Sequence, residues 1–312
     1  MAGESGRRGC CYGGSVDRKG VSVLQRTDRI SIAVEDLGRA QKEMIQVLGR
    51  SPAWVGGYPG DETACVLFRL DNVCIELLSP LGDTATCNAL RVQIEARGGG
   101  LHALHLASDD LAATVEELRD HGLNPSEPVE GLTKDEPSGA FRRFLQSVLD
   151  PAESAGLRIH LVEWLSAPEE LPPSLAIDGE RAAVMGGDHV VIFSEDAERA
   201  IDLYGTKLGI RLALDRTFEK RKTRILFFRL GHFTIEIGTP LGNQTDEPAK
   251  GDRLWGLAYR VDDIDAASER IAKAGLEVSE IREGHKAGTR VCTLKSKPAG
   301  VATLIIQQEL DE

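Results

Sequence analysis

Positive charge is scarce in this chain: 37 Lys and Arg stand against 49 Asp and Glu, a net charge of −12 over 312 residues. That balance leaves no basic face for a phosphate backbone, so nucleic acid is excluded as a partner. No apolar run approaches the roughly 20 residues that span a bilayer, which excludes a membrane helix. Arg7 and Arg8 have no hydrophobic stretch behind them, so the start does not read as a secretory signal. Cysteine is also sparse. Cys10, Cys11, Cys65, Cys74, Cys87 and Cys292 form no CxxC pair and read as reduced thiols of a cytoplasmic protein, not as a disulfide framework. There is no GxGxxG or GxxxxGK[ST] phosphate loop and no G-x-S-x-G nucleophile elbow. No organic cofactor is therefore expected. With 41% hydrophobic and 28% charged residues, the chain can build a real core, and its length suggests two domains.

What the chain does contain is a repeat. RISIAVEDLGRAQKEMIQVLG from Arg29 matches HVVIFSEDAERAIDLYGTKLG from His189, and LFRLDNVCIELLSPLGD from Leu67 matches FFRLGHFTIEIGTPLGN from Phe227. Both pairs share one offset, 160 residues, so the chain is a duplication. Gly100–Leu123 and Arg253–Leu276 match in turn, giving four units that span 29–80, 100–164, 189–240 and 253–309. In each, an apolar strand enters an acidic turn, such as Glu35-Asp36 or Asp109-Asp110, that can cap a helix. The helix carries one apolar face (Ala40, Met44, Val47 and Leu48 in the first unit) and stops at Gly49, Gly122, Gly209 or Gly275. Three strand-like runs follow, in the first unit Ala53–Tyr58, Ala64–Leu70 and Val73–Leu78, so each unit is βαβββ. Residues 1–25 lack periodicity and are expected to form a disordered tail. The expected domains are 26–164 and 188–309, joined by a Pro-bearing linker at 165–187; a second long connector runs from about Pro80 to Gly99.

Four such units, the strands around Glu76 ("IEL") and Glu236 ("IEI"), and the D-P-A-x-x-x-G stretch at Asp150–Gly156 resemble the vicinal oxygen chelate superfamily. That group includes glyoxalase I, methylmalonyl-CoA epimerase, extradiol dioxygenases and metal-free antibiotic-binding proteins. The resemblance implies an α+β fold in which the four βαβββ units form two cupped mixed sheets with helices outside. It also implies a divalent metal (Zn, Fe, Mn, Co or Ni) held by the first and last strands of each unit. The repeat places Arg29, Ala103, His189 and Gly256 at the first-strand positions, and Glu76, His160, Glu236 and Leu304 at the last-strand ones.

Two pairings of the units remain open. Sequential pairing leaves two ligand-type residues in each cup. Crossed pairing of units two and three assembles His160, His189 and Glu236, enough for a catalytic metal with open positions. On that reading these three are the metal ligands, and Glu76 or His105 moves the proton. His105 lies two residues beyond Ala103 on the same strand face. An Arg29–Glu76 ion pair is the alternative role for Glu76. His102, of opposite parity, is expected to face the helix layer. Arg142, Arg143, Arg158 and Arg290 read as solubilising residues that could also neutralise an anionic substrate. Trp54, Trp164, Trp255, Tyr204 and Tyr259 are candidates to line an apolar pocket.

The function expected from the resemblance is a metal-dependent lyase, isomerase or epimerase. It would act on a small carbonyl, hydroxy-acid or acyl-thioester substrate by chelation and proton transfer. The alternative is a metal-free protein of the bleomycin-resistance type that binds or sequesters a small molecule. An extradiol dioxygenase is disfavoured, because Gly256 and Leu304 occupy two of its three expected ligand positions. Either way the partner is a small molecule, and the chain is expected to be a monomer or homodimer.

Overall fold

The computed structural model describes residues 24–242 and 251–308. Residues 1–23, with Cys10 and Cys11, therefore lie outside the described residues, and so does nearly all of the expected tail. The first unit runs β1 (Arg26–Ala33), α1 (Leu37–Leu48), β2 (Trp54–Tyr58), β3 (Thr63–Arg69) and β4 (Cys74–Pro80). After an inserted helix, α2 (Ala85–Arg97), the second unit runs β5 (Gly100–Ala107), α3 (Leu111–Asp120), β6 (Val129–Asp135), β7 (Phe141–Val148) and β8 (Arg158–Trp164). The third has β9 (Val184–Phe193), α4 (Ala197–Ala200) extended by a π turn at Ile201–Lys207, β10 (Arg211–Phe218), β11 (Thr223–Leu230) and β12 (Phe233–Pro240). The fourth has β13 (Arg253–Val261), α5 (Ile264–Lys273), β14 (Arg282–Glu283), β15 (Thr289–Leu294) and β16 (Ala302–Gln308).

The acidic turns act as caps. The carboxylates of Asp36, Asp110, Asp196 and Asp263 each accept a hydrogen bond from the backbone N–H three residues on, at the start of a helix. Gly49 ends α1 with φ +65, a left-handed conformation that glycine adopts without a Cβ clash. Ala40, Met44, Val47 and Leu48 are all buried beneath α1. The connector from Pro80 to Gly99 is more ordered than a loop. Thr84 caps α2, Gly98 ends it, and Leu90 and Ile94 join the same apolar cluster as Ala33 and Leu78.

Strand order pairs the units sequentially. The first two close into a barrel, β1-β4-β3-β2-β6-β7-β8-β5, while the last two form an eight-stranded sheet, β10-β11-β12-β9-β13-β16-β15-β14, that stays open. The crossed pairing is thereby overturned. Closure of the barrel depends on two glycines of β2. Gly56 and Gly57 pair with Asp135 and Lys134 of β6, and a Cβ on Gly56 would stand 1.9 Å from the Lys134 carbonyl oxygen. Trp54 Nε1 donates to Thr133 Oγ1 at 3.1 Å, and Asp135 Oδ1 accepts the Val55 N–H at 2.9 Å, which fastens the same seam. In the second half the edge strand β14 has two residues, and β10 is largely exposed and carries Arg211, Asp215 and Arg216, features that disfavour edge pairing.

The halves are joined by arginines. Arg270 of α5 donates to the carbonyls of Gln46 and Val47 in the last turn of α1 and to Ala182, while Arg50 donates to Val184 O and Ser174 O. Cations at a helix C-terminus satisfy carbonyls that lack an intrahelical partner. Among the described residues, no helix is long and apolar enough to cross a membrane.

Candidate functional site

The four units present their central positions in one common register. Ser31 stands opposite Glu76, His105 opposite His160, Val191 opposite Glu236, and Ala258 opposite Leu304. Because side chains alternate across a strand, these pairs and their i±2 neighbours face the interior of the barrel or cup. The intervening residues, such as Ile30, Ile75, Val190 and Ile235, are fully buried in the apolar layer on the other side.

Inside the barrel these positions form a buried polar chain. Tyr58 Oη donates to Glu76 Oε1 at 2.5 Å, Ser31 Oγ donates to Glu76 Oε2, and His105 Nε2 lies 2.8 Å from Ser31 Oγ. Since the single Ser31 proton goes to Glu76, His105 must donate through Nε2, which leaves its Nδ1 as a bare acceptor. Neither His105 Nδ1 nor His160 Nδ1 has a hydrogen-bond partner. The Arg29–Glu76 ion pair forms, with Nε 3.4 Å from Oε2, and both residues are buried. The rings of Tyr58, Phe144 and Trp164 surround the Arg29 guanidinium at 5.6–5.8 Å, a cation–π enclosure. Burial alone would lower the Arg29 pKa, but Tyr58, Glu76 and Asp28 hold it above its ordinary value.

His102 departs from the expected orientation. A register shift between β1 and β5 pairs Ser31 with Ala103 and then Ile32 with Leu101, so His102 is the extra residue of a β-bulge. Its Nδ1 is 2.7 Å from Gln93 Oε1 on α2, and its charge would act on both His105 and His160. Parity counting fails at a bulge, which is why the sequence placed it with the outer helices. Burial pushes all three imidazoles down, His102 to about 4 and His160 to about 3, with Arg158 and Arg29 respectively adding to the effect.

The second cup is different in kind. His189 Nδ1 is held by Asp188 Oδ2 at 2.8 Å, and His189 Nε2 stands 3.6 Å from Glu236 Oε2. The strand register surrounds them with Val191, Phe193, Phe227, Ala258 and Leu304. Trp255, nearly half exposed, packs against Phe193 at the rim, with ring centroids 5.1 Å apart and the planes tilted by 51°. Burial would lower the His189 pKa, but the bond to Asp188 and the Glu236 charge raise it overall. Glu236 is raised by burial. The cup therefore has one acid–base pair among apolar central positions, with Thr234 and Arg260 two residues along the same strands and the charges of Arg260 and Arg229 acting on Asp188.

The three expected metal ligands are not brought together. His160 belongs to β8 of the closed barrel, whereas His189 and Glu236 belong to β9 and β12 of the open sheet. Sequential pairing of the units is the physical reason. The residues present do not fit a three-ligand centre in either half. In the barrel a cation would meet the Arg29 guanidinium, and Glu76 is already bound by Arg29, Tyr58 and Ser31. In the open cup, Gly256 and Leu304 supply no donor atoms beside His189 and Glu236. Among the described residues, no group of three or more His, Cys, Asp or Glu is placed to hold a metal.

The aromatic candidates divide similarly. Tyr204 and Tyr259 are buried in the helix-side core, not in a cup. Trp54 and Trp164 sit in the barrel, and Trp255 alone of the five borders the open cup. Arg142 is not a surface residue but is 4% exposed. The sequence reading also missed Tyr58 and Ser31, the two hydroxyls on Glu76. Their parity with Trp54 and Arg29 was the available signal.

A family model described as "Glyoxalase/Bleomycin resistance protein/Dioxygenase superfamily" matches residues 28–136 and 188–293. No curated protein matches the chain. Among solved structures it is similar to a mutant of 4-hydroxymandelate synthase from Streptomyces coelicolor, at 16% identity and a TM-score of 0.65, over 93% of this chain and 94% of that one. It is also similar to a xylose isomerase-like TIM barrel/4-hydroxyphenylpyruvate dioxygenase fusion protein, at 15% identity and TM-score 0.61, over 94% of this chain and 50% of that one. A hypothetical protein from Staphylococcus aureus matches at 10% identity and TM-score 0.60, over 91% of this chain and 100% of that one. At these identities the shared property is the fold.

Proposed function

The chain belongs to the glyoxalase/bleomycin resistance protein/dioxygenase superfamily, and from that premise we propose that it binds a small oxygen-bearing molecule in the open second cup, without a tightly held resident metal. The observation that carries this reading is the His189–Glu236 pair, 3.6 Å apart on a floor whose other central positions are apolar. Asp188 fixes the imidazole through Nδ1, so Nε2 points away from it and can donate when the ring is protonated. Glu236 accepts. A ligand carbonyl or hydroxyl set over the pair meets a donor and an acceptor side by side, while Phe193, Phe227 and Trp255 cover its apolar part. The first barrel, sealed by β2–β6 and filled by its own ion pair, serves as the rigid half on which the open sheet is mounted.

A metal-dependent lyase or isomerase is the second reading, favoured by the family and by the ligand character of His189 and Glu236. It requires a third protein donor of the usual catalytic kind, and Gly256 and Leu304 stand where the repeat would supply one.

The two readings separate in one experiment. Metal content per chain is measured by elemental analysis after incubation with Zn, Mn, Fe, Co or Ni. In parallel, Trp255 fluorescence is followed while small keto acids, hydroxy acids and aromatic acids are added. Metal-free protein that shows saturable quenching, lost in Glu236→Gln and in Trp255→Phe, supports the binding reading. Near-stoichiometric metal that disappears in His189→Ala would overturn it in favour of the enzyme.

A further inference from the structure

The mouth of the closed barrel holds a cavity of about 260 Å³ that the second cup does not share. Three polar atoms of residues lining it, Thr27 Oγ1, Arg29 Nε and Arg142 Nε, are buried and have no hydrogen-bond partner. Arg142 is the telling one. It is 4% exposed, and among the described residues its guanidinium makes no hydrogen bond or ion pair. It lies over the Trp164 ring, 3.8 Å from the centroid, a cation–π contact that uses none of its N–H donors. The other guanidinium groups of the cavity are engaged. Arg29 pairs with Asp28 and Glu76, Arg69 donates to the carbonyls of Pro168 and Leu171, and Arg26 reaches Asp28 at 4.0 Å.

A buried charge without a partner is costly, and proteins retain one where something else completes it. We propose that this cavity is a carboxylate-binding site, in which Arg142 takes the two oxygens of a small monocarboxylate and the Thr27 hydroxyl is an additional donor. The charge balance favours a monoanion. Arg26, Arg29, Arg69 and Arg142 face the carboxylates of Asp28, Asp71 and the inner Glu76, leaving one positive charge in excess. The planar fork matches a carboxylate, and the walls of Leu67, Val73, Leu171 and Trp164 suit an apolar body more than the solvated oxygens of phosphate. The volume limits the ligand to a few heavy atoms beyond the carboxylate. Burial lowers the Arg142 pKa, with Asp28 and Cys74 opposing the shift, in keeping with a desolvated cation awaiting an anion.

The test titrates propionate, benzoate, inorganic phosphate and chloride at constant ionic strength into the full chain, read by calorimetry and thermal unfolding. Propionate or benzoate is expected to bind saturably and raise the unfolding temperature, with chloride inert and phosphate weaker. Arg142→Lys should weaken binding about tenfold, because a point charge cannot bridge both oxygens. Arg142→Met should abolish binding while leaving the ligand-free protein at least as stable as wild type, since the unpaired charge is gone. Phosphate binding in preference to both carboxylates overturns the assignment. So does carboxylate binding unchanged in Arg142→Met, or an Arg142→Met protein that is less stable without ligand. These outcomes do not depend on the second cup, whose ligand pair is untouched.

Discussion

Acidification from pH 7 to pH 5 is predicted to destabilise the first barrel through its buried histidines. In the unfolded chain each imidazole titrates near 6.5, whereas in the fold His102 is lowered to about 4 and His160 to about 3, both chiefly by burial. The sign follows from proton counting. As pH falls below 6.5 the unfolded chain takes up protons that the folded chain refuses, so stability present above 6.5 is lost down to the folded pKa values. The slope is about 1.4 kcal/mol per pH unit for each group. At pH 5 that amounts to about 2 kcal/mol for each of the two residues, about 4 kcal/mol together, a large share of the roughly 5–15 kcal/mol that stabilises most domains. His105, lowered in the same direction, adds to the loss. Urea unfolding at pH 7, 6 and 5 measures the effect, and His160→Leu isolates it, since this variant should lose about 2 kcal/mol less over the same range. Histidine ring resonances provide a direct check, because His160 should not titrate above pH 5. A His160 ring that titrates near 6.5, or a pH loss identical in wild type and His160→Leu, would refute the reasoning.

Other perturbations follow from the same contacts. Glu76→Gln takes the inner carboxylate from buried Arg29, leaving Asp28 at 3.2 Å, and keeps an acceptor for only one of the Tyr58 and Ser31 hydroxyls, so it should cost about 3 kcal/mol in urea unfolding; a loss below about 1 kcal/mol would show the ion pair to be dispensable. Asp110→Ala removes the cap of α3 and should lower stability by about 1 kcal/mol, whereas Asp110→Asn should restore most of it. Gly56→Ala pushes a methyl into the Lys134 carbonyl and should part β2 from β6, seen as faster amide exchange along that seam with exchange in β9 and β12 unchanged. Arg270→Ala leaves the Gln46, Val47 and Ala182 carbonyls without this donor and should weaken docking of the halves by about 1–3 kcal/mol, read as a split of the single unfolding transition into two.

Local chemistry alone specified the units. The 160-residue repeat, the aspartates that cap helices, the glycines that end them and the alternation that buries Ile30 but turns Glu76 inward are properties of short segments, readable because period and capping act within a few residues. What those segments could not carry is which unit lies beside which. That choice rests on pairing between residues far apart in the chain, such as Ser31 with Ala103, Gly56 with Asp135 and Ala258 with His189, and it separated His160 from His189 and Glu236. Nor could parity survive the bulge at His102, where one extra residue reverses the face. The burial of Arg142 was equally invisible, since a lone arginine on a strand looks the same whether it meets water or the face of Trp164. The sequence by itself determined four βαβββ units with inward-facing polar positions. Tertiary structure alone decided that one pair of units would close around its own charges and the other stay open, because strand closure depends on the backbone approach that Gly56 and Gly57 permit at β6 and that β10 and β14 do not make.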